Sequence, residues 1–296
     1  MNNSAPEIGS PARTKAILTR YRLVAKKSLG QNFLSDLNIL RNIVNAAEVT
    51  EDDNVIEIGP GIGALTEQIA KGARKVVAFE IDENLLPVLD ETLADYDNIK
   101  IINQDILKAN LAEVIHEEFE PGHPVKLVAN LPYYITTPIL MGVLQSGVAF
   151  DEIVVMMQKE VADRLVAEPG TKAYGSLSVV MQYKAHVAVA FEVPRTAFIP
   201  QPNVDSAIIR LTPREPLPVK PYEEEALFKF VKGCFIHRRK TLWNNLQGLF
   251  GKQPEVRERL ESVLETVGVS RQLRPERLTL INFIELTNAF HNEGLM

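Results

Sequence analysis

Short apolar runs alternate with helix-like stretches over the first two thirds of the chain. Runs of strand length stand at residues 54–58, 76–79, 99–102, 127–129 and 153–157. Between them, apolar residues recur at three- and four-residue spacing, as from Leu37 to Ala47, and this spacing predicts amphipathic helices. The alternation of the two patterns predicts an α/β fold with an open sheet.

The pattern changes after residue 186. Apolar and polar residues alternate from Val187 to Val193, and a further strand is predicted at residues 206–211. The proline loop that joins them carries Phe198, which predicts an antiparallel pair at the sheet edge with an exposed aromatic side chain. Four prolines between residues 213 and 221 predict a linker, and the apolar stripes beyond it have helical spacing. The pattern therefore divides the chain into an N-terminal extension (1–25), an α/β domain (26–212) and a helical domain (213–296).

The apolar run 127–129 leads into Asn130, Leu131, Pro132 and Tyr133. Pro132 cannot continue a strand ladder, so this group stands at a strand's carboxyl end, where ligands bind in open α/β sheets. The Asn130 side-chain oxygen and the Leu131 carbonyl could accept both N–H bonds of an exocyclic amine. Tyr133 could stack on the ring that carries the amine. A strand-ending turn with packed tyrosines explains the stretch equally well.

A glycine-rich turn follows the first apolar run. Gly59, Gly61 and Ala64 fit the pattern G-x-G-x-x-G/A, in which the backbone lets a ligand approach the start of a helix. Glu80 ends the next strand, where a carboxylate can accept both ribose hydroxyls of a cofactor. The motif suits a nicotinamide enzyme and an adenosyl-cofactor enzyme alike, and an acid that starts a helix would explain Glu80 as well.

The third strand ends in a polar and apolar pair that suits an adenine ring. Asp105 could accept the adenine amino group, and Ile106 and Ile81 could pack on the ring. Such an ending is less expected of a hydride-transfer enzyme. Upstream, residues 26–34 are too irregular for a helix and combine amide, glycine and aromatic residues, which predicts either a surface loop or a clamp over a ligand.

Composition limits the class of protein. The one cysteine, Cys234, excludes an internal disulfide and a multi-cysteine zinc site, and the five histidines lack ligand spacing, so no metal is predicted. The amino terminus lacks a signal-peptide pattern, and no apolar run is long enough to cross a bilayer. These features predict a soluble cytoplasmic protein with no membrane partner.

Charge distribution adds a candidate surface for nucleic acid. The net charge is −6, but basic residues cluster at positions 13–27, 237–240 and 271–277. A local basic surface on an acidic protein can bind phosphates. Solvated charges at helix ends would produce the same pattern.

Five segments, in this order, resemble the ribosomal RNA adenine dimethyltransferases, and most of all their bacterial small-subunit type. They are residues 26–34, 57–63, 130–133, 198–206 and 238–246, so the resemblance covers nearly the whole chain. It implies a Rossmann-like class I methyltransferase sheet with an antiparallel edge and a small all-helical C-terminal domain. It also implies S-adenosyl-L-methionine as the cofactor. The implied substrate is two adjacent adenines near the 3′ end of small-subunit rRNA, each of which receives two methyl groups.

The resemblance implies roles for individual residues as well. Cofactor contacts are expected at Asn32, Leu34, Glu57, Gly59, Gly61, Glu80, Ile81, Asp105, Ile106 and Asn130. Asn130 and Leu131 would hold the target amine, and Tyr133 and Phe198 would sandwich the target ring. Arg238, Arg239 and Lys240 are the candidates for phosphate contact in the helical tail. We expect the RNA to be met within a pre-30S-type particle, and the absence of a dimer seam in the pattern predicts a monomer.

Three other functions explain part of the pattern. A nicotinamide dehydrogenase accounts for the glycine turn and Glu80 but leaves residues 130–133 and Phe198 without a role. A methyltransferase acting on large-subunit RNA fits the α/β domain, whereas residues 238–246 and the long helical tail favour the small-subunit type. A ribosome-assembly factor without catalysis is less compatible with the intact Asn130 and Glu80.

Overall fold

The computed structural model describes residues 6–26 and 29–296. Residues 1–5 of the predicted N-terminal extension, and Lys27 of the first basic cluster, lie outside the described residues. Within the extension, Pro11–Arg20 forms a short helix.

The elements of the described chain follow the predicted alternation of strands and helices. The strands are β1 (Phe33–Leu34), β2 (Asn54–Ile58), β3 (Lys75–Glu80), β4 (Ile99–Asn103), β5 (Val125–Asn130), β6 (Glu152–Gln158), β7 (Ala185–Val193), β8 (Phe198–Ile199) and β9 (Ser206–Pro213). The helices are α1 (Pro11–Arg20), α2 (Leu37–Ala46), α3 (Ala64–Ala70), α4 (Leu86–Thr92), α5 (Leu111–Glu118), α6 (Thr136–Gln145), α7 (Lys159–Leu165), α8 (Ser176–Lys184), α9 (Glu224–Cys234), α10 (Leu242–Phe250), α11 (Pro254–Val267) and α12 (Leu280–Asn292).

The main sheet has seven strands in the order β4-β3-β2-β5-β6-β9-β7. The pairs from β4 through to β6 are parallel, and β9 runs antiparallel to β6. This arrangement confirms the predicted α/β class with an antiparallel edge. The order of the strands reverses between β2 and β5, and ligands bind at the carboxyl ends of strands beside such a reversal.

Burial explains why the central strands are continuously apolar. All five residues of β2 and six of the seven residues of β6 are buried, as expected where helices cover both faces of a parallel sheet. Met156 and Met157 in β6 are completely buried in the core. Strand β2 contains two polar exceptions, Asn54 and Glu57, which are each 1% exposed.

A second, two-stranded sheet pairs β1 with β8, and Leu34 lies opposite Phe198. Phe198 is 3% exposed and belongs to the main hydrophobic core. The prediction that this aromatic side chain is exposed is therefore wrong. Its partner strand comes from the distant N-terminal part of the chain, which the local pattern around the proline loop could not indicate.

Thr136 or Thr137 is predicted from sequence to cap a helix that begins at Pro138. This start is wrong, because α6 begins at Thr136 without a side-chain cap. The Thr136 hydroxyl instead donates to the Pro132 carbonyl at 3.0 Å. For α2, the sequence predicts either Ser35 or Asp36 as the cap, and Asp36 has this role, because its carboxylate accepts the N–H groups of Asn38 and Ile39.

Contacts between Cα atoms divide the chain into two compact units. The first runs to Ala162 and resumes from Ala188 to Pro213; the second comprises Asp163–Val187 and Arg214–Met296. The second unit has its own core, in which Phe230, Phe283 and Phe290 are buried. The predicted domains 1–25, 26–212 and 213–296 stay a prediction, and residues 163–187 group with the helical unit.

Candidate functional site

The cleft at the carboxyl edge of the sheet holds nearly all the residues assigned to a site from sequence. It encloses about 1070 Å³ of empty volume, including the part open to solvent. The cleft brings together Asn32, Leu34, Glu57, Gly59, Gly61, Glu80, Ile81, Asp105, Ile106, Asn130, Leu131 and Tyr133. Phe198 does not line it within the described chain.

The glycine turn after β2 leaves its backbone accessible to a ligand. Gly59 and Gly61 have φ angles of +72° and +62°, which L side chains rarely adopt. Apart from its two chain neighbours, no described residue has a heavy atom within 4 Å of the place where a Cβ of Gly59 would be. At Gly61 the Phe33 ring would be 3.5 Å from such a Cβ. Phe33, which belongs to the stretch predicted to be a loop or a clamp, therefore lies beside this turn.

Two buried carboxylates lie on the wall between β2 and β3. Glu80 accepts the Asp82 N–H at 2.8 Å and the Gly61 N–H at 3.3 Å, and burial raises its pKa. Burial, together with repulsion from Glu80, raises the pKa of Glu57 to about 8. Oε2 of Glu57 has no hydrogen-bond partner in the described chain. No cationic side chain of the described residues is among the causes that set the pKa values of Glu57 and Glu80, so burial dominates and favours their protonated forms.

The end of β4 presents the polar and apolar pair that was predicted to hold an adenine ring. One oxygen of Asp105 accepts the Leu107 N–H at 3.0 Å, which fixes the carboxylate at the start of a short 3₁₀ turn. Ile81 is 51% exposed although it lines the cleft, so its side chain is available to a ligand. Gln104, which the sequence analysis missed, lines the same wall.

The end of β5 presents two hydrogen-bond acceptors. Asn130 pairs with Met156 across β5 and β6, and the Leu131 N–H donates to the Met156 carbonyl at 3.2 Å. These contacts fix the backbone around both residues. No donor in the described chain is hydrogen-bonded to the Asn130 side chain or the Leu131 carbonyl, and both residues line the cleft, where their oxygens could accept an amine.

Tyr133 is held in place beside these acceptors. Its hydroxyl forms a 2.5 Å hydrogen bond with the Ser206 hydroxyl, and burial raises its pKa. Ser206 is completely buried at the start of β9, so this antiparallel strand fixes the tyrosine ring. Sequence reasoning placed Ser206 in a motif but assigned it no role, since the pairing with Tyr133 depends on the tertiary fold. The neighbouring Tyr134 is 53% exposed at the same cleft and was missed as well.

The second unit carries the predicted phosphate-contacting residues on the turn between α9 and α10. Arg238 donates to the backbone carbonyls of Lys172 and Tyr174 at 2.8 and 2.7 Å. Arg238 therefore stabilises its own unit, which the sequence did not indicate. Arg239 and Lys240 are exposed, and their side chains form no hydrogen bond or ion pair within residues 6–26 and 29–296.

Metal-binding clusters and membrane-spanning helices are both missing from the described residues. No group of three or more His, Cys, Asp or Glu side chains in that part of the chain could hold a metal ion. Within the same residues, none of the helices is both long enough and apolar enough to cross a membrane.

Comparison with known protein families gives a match over most of the chain. The family model described as "Ribosomal RNA adenine dimethylase" matches residues 22–285. A protein of Levilactobacillus brevis named "Ribosomal RNA small subunit methyltransferase A" is 83% identical over 296 residues, which is 100% of both chains. A protein of Ligilactobacillus salivarius with the same name is 61% identical and also covers 100% of both chains.

Two solved structures are also similar to this chain, at lower sequence identity than these two proteins. A dimethyladenosine transferase from Plasmodium falciparum superposes with a TM-score of 0.72 at 25% identity and covers 88% of this chain and 98% of its own. The 23S rRNA methyltransferase ErmE superposes with a TM-score of 0.64 at 29% identity and covers 88% of this chain and 100% of its own.

Proposed function

Because this chain belongs to the ribosomal RNA adenine dimethylase family, we propose that it methylates two adjacent adenines near the 3′ end of small-subunit rRNA, with S-adenosyl-L-methionine as the methyl donor. The N6 amine of each adenine receives two methyl groups. The observation that carries the proposal is that one cleft contains both the cofactor-type residues of β2 to β4 and the amine-accepting end of β5.

The charges of the cleft fit this cofactor. S-adenosyl-L-methionine, when bound, supplies a methyl group on a positively charged sulfur and is therefore already a strong electrophile. Glu57 and Glu80 are buried without a basic partner in the described residues, and attraction to a cationic ligand would offset the burial cost that raises their pKa values. Glu80 would accept the ribose hydroxyls, and Asp105 would accept the adenine amino group between Ile81 and Ile106.

The remaining proposed cofactor contacts come from the glycine turn after β2 and from the stretch around β1. Gly59 and Gly61 allow the ligand to approach the backbone because they have no side chain, and their positive φ angles disfavour any other residue there. Asn32 and Leu34 line the same cleft.

The chain's own part in the chemistry is to prepare the acceptor amine. The lone pair of an adenine amine is delocalised into the ring, which makes it a poor nucleophile. Hydrogen bonds from the amine to Asn130 and Leu131 favour a pyramidal nitrogen with a directed lone pair, and they strengthen as positive charge develops. The ring of Tyr133 stacks on the target base and stabilises this charge by cation–π attraction. Positioning of this kind contributes roughly 7–11 kcal/mol of barrier reduction at its best.

Phe198 is the proposed second ring of the sandwich around the target base. Its side chain is 3% exposed and packs in the core beside Leu34. The stacking role therefore requires Phe198 to turn out of this packing when RNA binds.

The acceptor enters the cleft from RNA, so the target adenine must be unstacked. Exposed loops of RNA in a pre-30S-type particle meet this requirement. Arg239 and Lys240, with Arg238 beside them, are the residues we assign to phosphate contact, and the enzyme acts as a monomer.

Transfer of labelled methyl from S-adenosyl-L-methionine tests the proposal. Small ribosomal subunits that lack these methyl groups, large subunits and free rRNA serve as parallel acceptors, and nuclease digestion identifies the product. Dimethyladenosine confined to the small subunit is the expected result. Label in the large subunit would support the type of enzyme represented by the 23S rRNA methyltransferase ErmE. Cofactor binding without any transfer would point to an assembly role instead.

A further inference from the structure

Asp82 is a buried acid that the proposed function leaves without a role. Its side chain is only 3% exposed, and it follows Glu80 and Ile81 at the end of β3. The cleft is lined by both of those residues but not by Asp82 within the described chain. Its neighbour Glu83 stands at the same helix start and is exposed.

The Asp82 carboxylate collects hydrogen bonds from the N-terminal part of the chain. Oδ1 accepts the Lys26 ammonium at 2.7 Å, and Oδ2 accepts the Gln31 side-chain amide at 2.8 Å. Gln31 in turn accepts the Lys26 backbone N–H at 2.9 Å through its side-chain oxygen. Lys26 and Gln31 are thereby joined to each other and to the end of β3.

The residues next to Gln31 form one wall of the cofactor cleft. We call residues 29–34 the clamp segment, and all six line the cleft. One end of the segment is fixed by the pairing of β1 with β8. The other end is fixed by Asp82 through Gln31 and Lys26.

Asp82 also reaches the proposed ribose site through its backbone. Its N–H donates to Oε1 of Glu80 at 2.8 Å. Asp82 therefore orients the Glu80 carboxylate, which lines the cleft, and it also holds the clamp segment, which lines the same cleft.

We infer that Asp82 is a positioning residue that holds the clamp segment against the cofactor cleft and couples its position to Glu80. Although burial opposes the charged form, hydrogen bonds from Lys26, Gln31 and Asn84 lower the pKa of Asp82 to about 2, so the carboxylate stays ionised at neutral pH. Asp82 also caps the turn before α4 by accepting the Asn84 N–H at 3.1 Å. The competing explanation is that it is a helix cap and nothing more.

Variants on both sides of the contact separate these explanations. Asp82→Ala removes the contact and the cap, whereas Lys26→Met removes only the ion pair from an exposed lysine. Lys26→Arg keeps the ion pair, and Glu83→Gln is the matched control because it removes an acid at the same helix start. The readouts are the Kd of S-adenosyl-L-methionine by calorimetric titration and hydrogen exchange of residues 29–34 in the cofactor-free protein.

Asp82→Ala should raise the Kd about tenfold, as expected for the loss of charge-assisted hydrogen bonds that organise a site. Lys26→Met should raise it about threefold, since a partly exposed ion pair contributes less. Both variants should speed hydrogen exchange in the clamp segment. Their kcat at saturating cofactor should stay within about twofold of the parent's, because neither residue touches the reacting atoms. Lys26→Arg and Glu83→Gln should bind as the parent does.

The inference is overturned if Lys26→Met and Asp82→Ala bind the cofactor as tightly as the parent. It is also overturned if Asp82→Ala speeds exchange in α4 alone, which is the result that a helix cap predicts. The inference rests on the proposed cofactor site. A parent protein that fails to bind S-adenosyl-L-methionine would contradict the proposed function, and the exchange of the clamp segment would still decide the role of Asp82.

Discussion

At the scale of single residues, Asn130 carries the most specific chemistry. Its backbone is fixed between β5 and β6, and its side-chain amide is left to the cleft. A hydrogen-bond acceptor aimed at a developing positive charge contributes mainly in the transition state. Asn130 should therefore affect the rate of methyl transfer more than the affinity for the cofactor.

We predict that Asn130→Ala lowers kcat for small-subunit RNA about 100- to 1,000-fold, the loss typical of one well-placed group. The Kd of S-adenosyl-L-methionine should rise by less than about tenfold. Single-turnover transfer and calorimetric titration measure the two quantities. Asn38→Ala, at an exposed position of α2, is the control. Full activity of Asn130→Ala would remove this residue from the mechanism.

Glu57 gives a prediction about pH. Burial raises its pKa from 4.5 to about 8, so the folded protein binds this proton more tightly than the unfolded chain does. The free energy of unfolding should therefore fall as pH rises from about 4.5 to about 8, by at most roughly 4–5 kcal/mol from this group. Glu57→Gln removes this contribution to the pH dependence of the free energy of unfolding. Calorimetric unfolding at about pH 5 and pH 8 should show the variant gaining stability relative to the parent at the higher pH, and parallel behaviour of the two proteins would contradict the assignment.

At the scale of elements, local pattern predicted the main sheet well. The apolar runs at residues 54–58 and 153–157 correspond to β2 and β6, because strands buried on both faces need continuous apolar sequence. The glycine turn and the ends of β3 to β5 were also placed correctly. Since carboxyl ends of parallel strands share one edge, predicting the strands was enough to predict the cleft.

Elements whose contacts span long sequence separations were not predicted. The pairing of β1 with β8 buries Phe198, and neither two-residue strand has a pattern of its own. The contacts of Asp82 with Lys26 and of Tyr133 with Ser206 are of the same kind. Side-chain hydrogen bonds between distant segments leave no periodic signal, so sequence can identify the acid or hydroxyl but not its partner.

At the scale of the whole molecule, an acidic chain has to bind an acidic polymer. The net charge of −6 opposes RNA binding in general, so affinity must come from local basic surfaces. All three predicted residues are exposed, but Arg238 donates hydrogen bonds to backbone carbonyls of its own unit, which distinguishes it from Arg239 and Lys240.

We predict that Arg239→Gln combined with Lys240→Gln weakens binding to small-subunit RNA and flattens its salt dependence. The slope of log K against log salt should decrease by about one for each phosphate contact that is lost. Filter binding at several salt concentrations measures this slope. Lys252→Gln, an exposed lysine of the same unit, should leave the slope unchanged. A slope equal to the parent's in the double variant would make these residues solvated surface charges.

The most direct test of the central claim is a crystal structure of the protein with S-adenosyl-L-homocysteine. The account predicts that the ligand lies in the cleft at the carboxyl edge of the sheet, with ribose hydroxyls within about 2.6–3.2 Å of the Glu80 carboxylate. Its adenine should meet Asp105 between Ile81 and Ile106, and its sulfur should face the open side of Asn130. A ligand bound elsewhere, or bound here with Glu80 and Asp105 unpaired, would contradict the claim that one cleft joins the methyl donor to the acceptor amine.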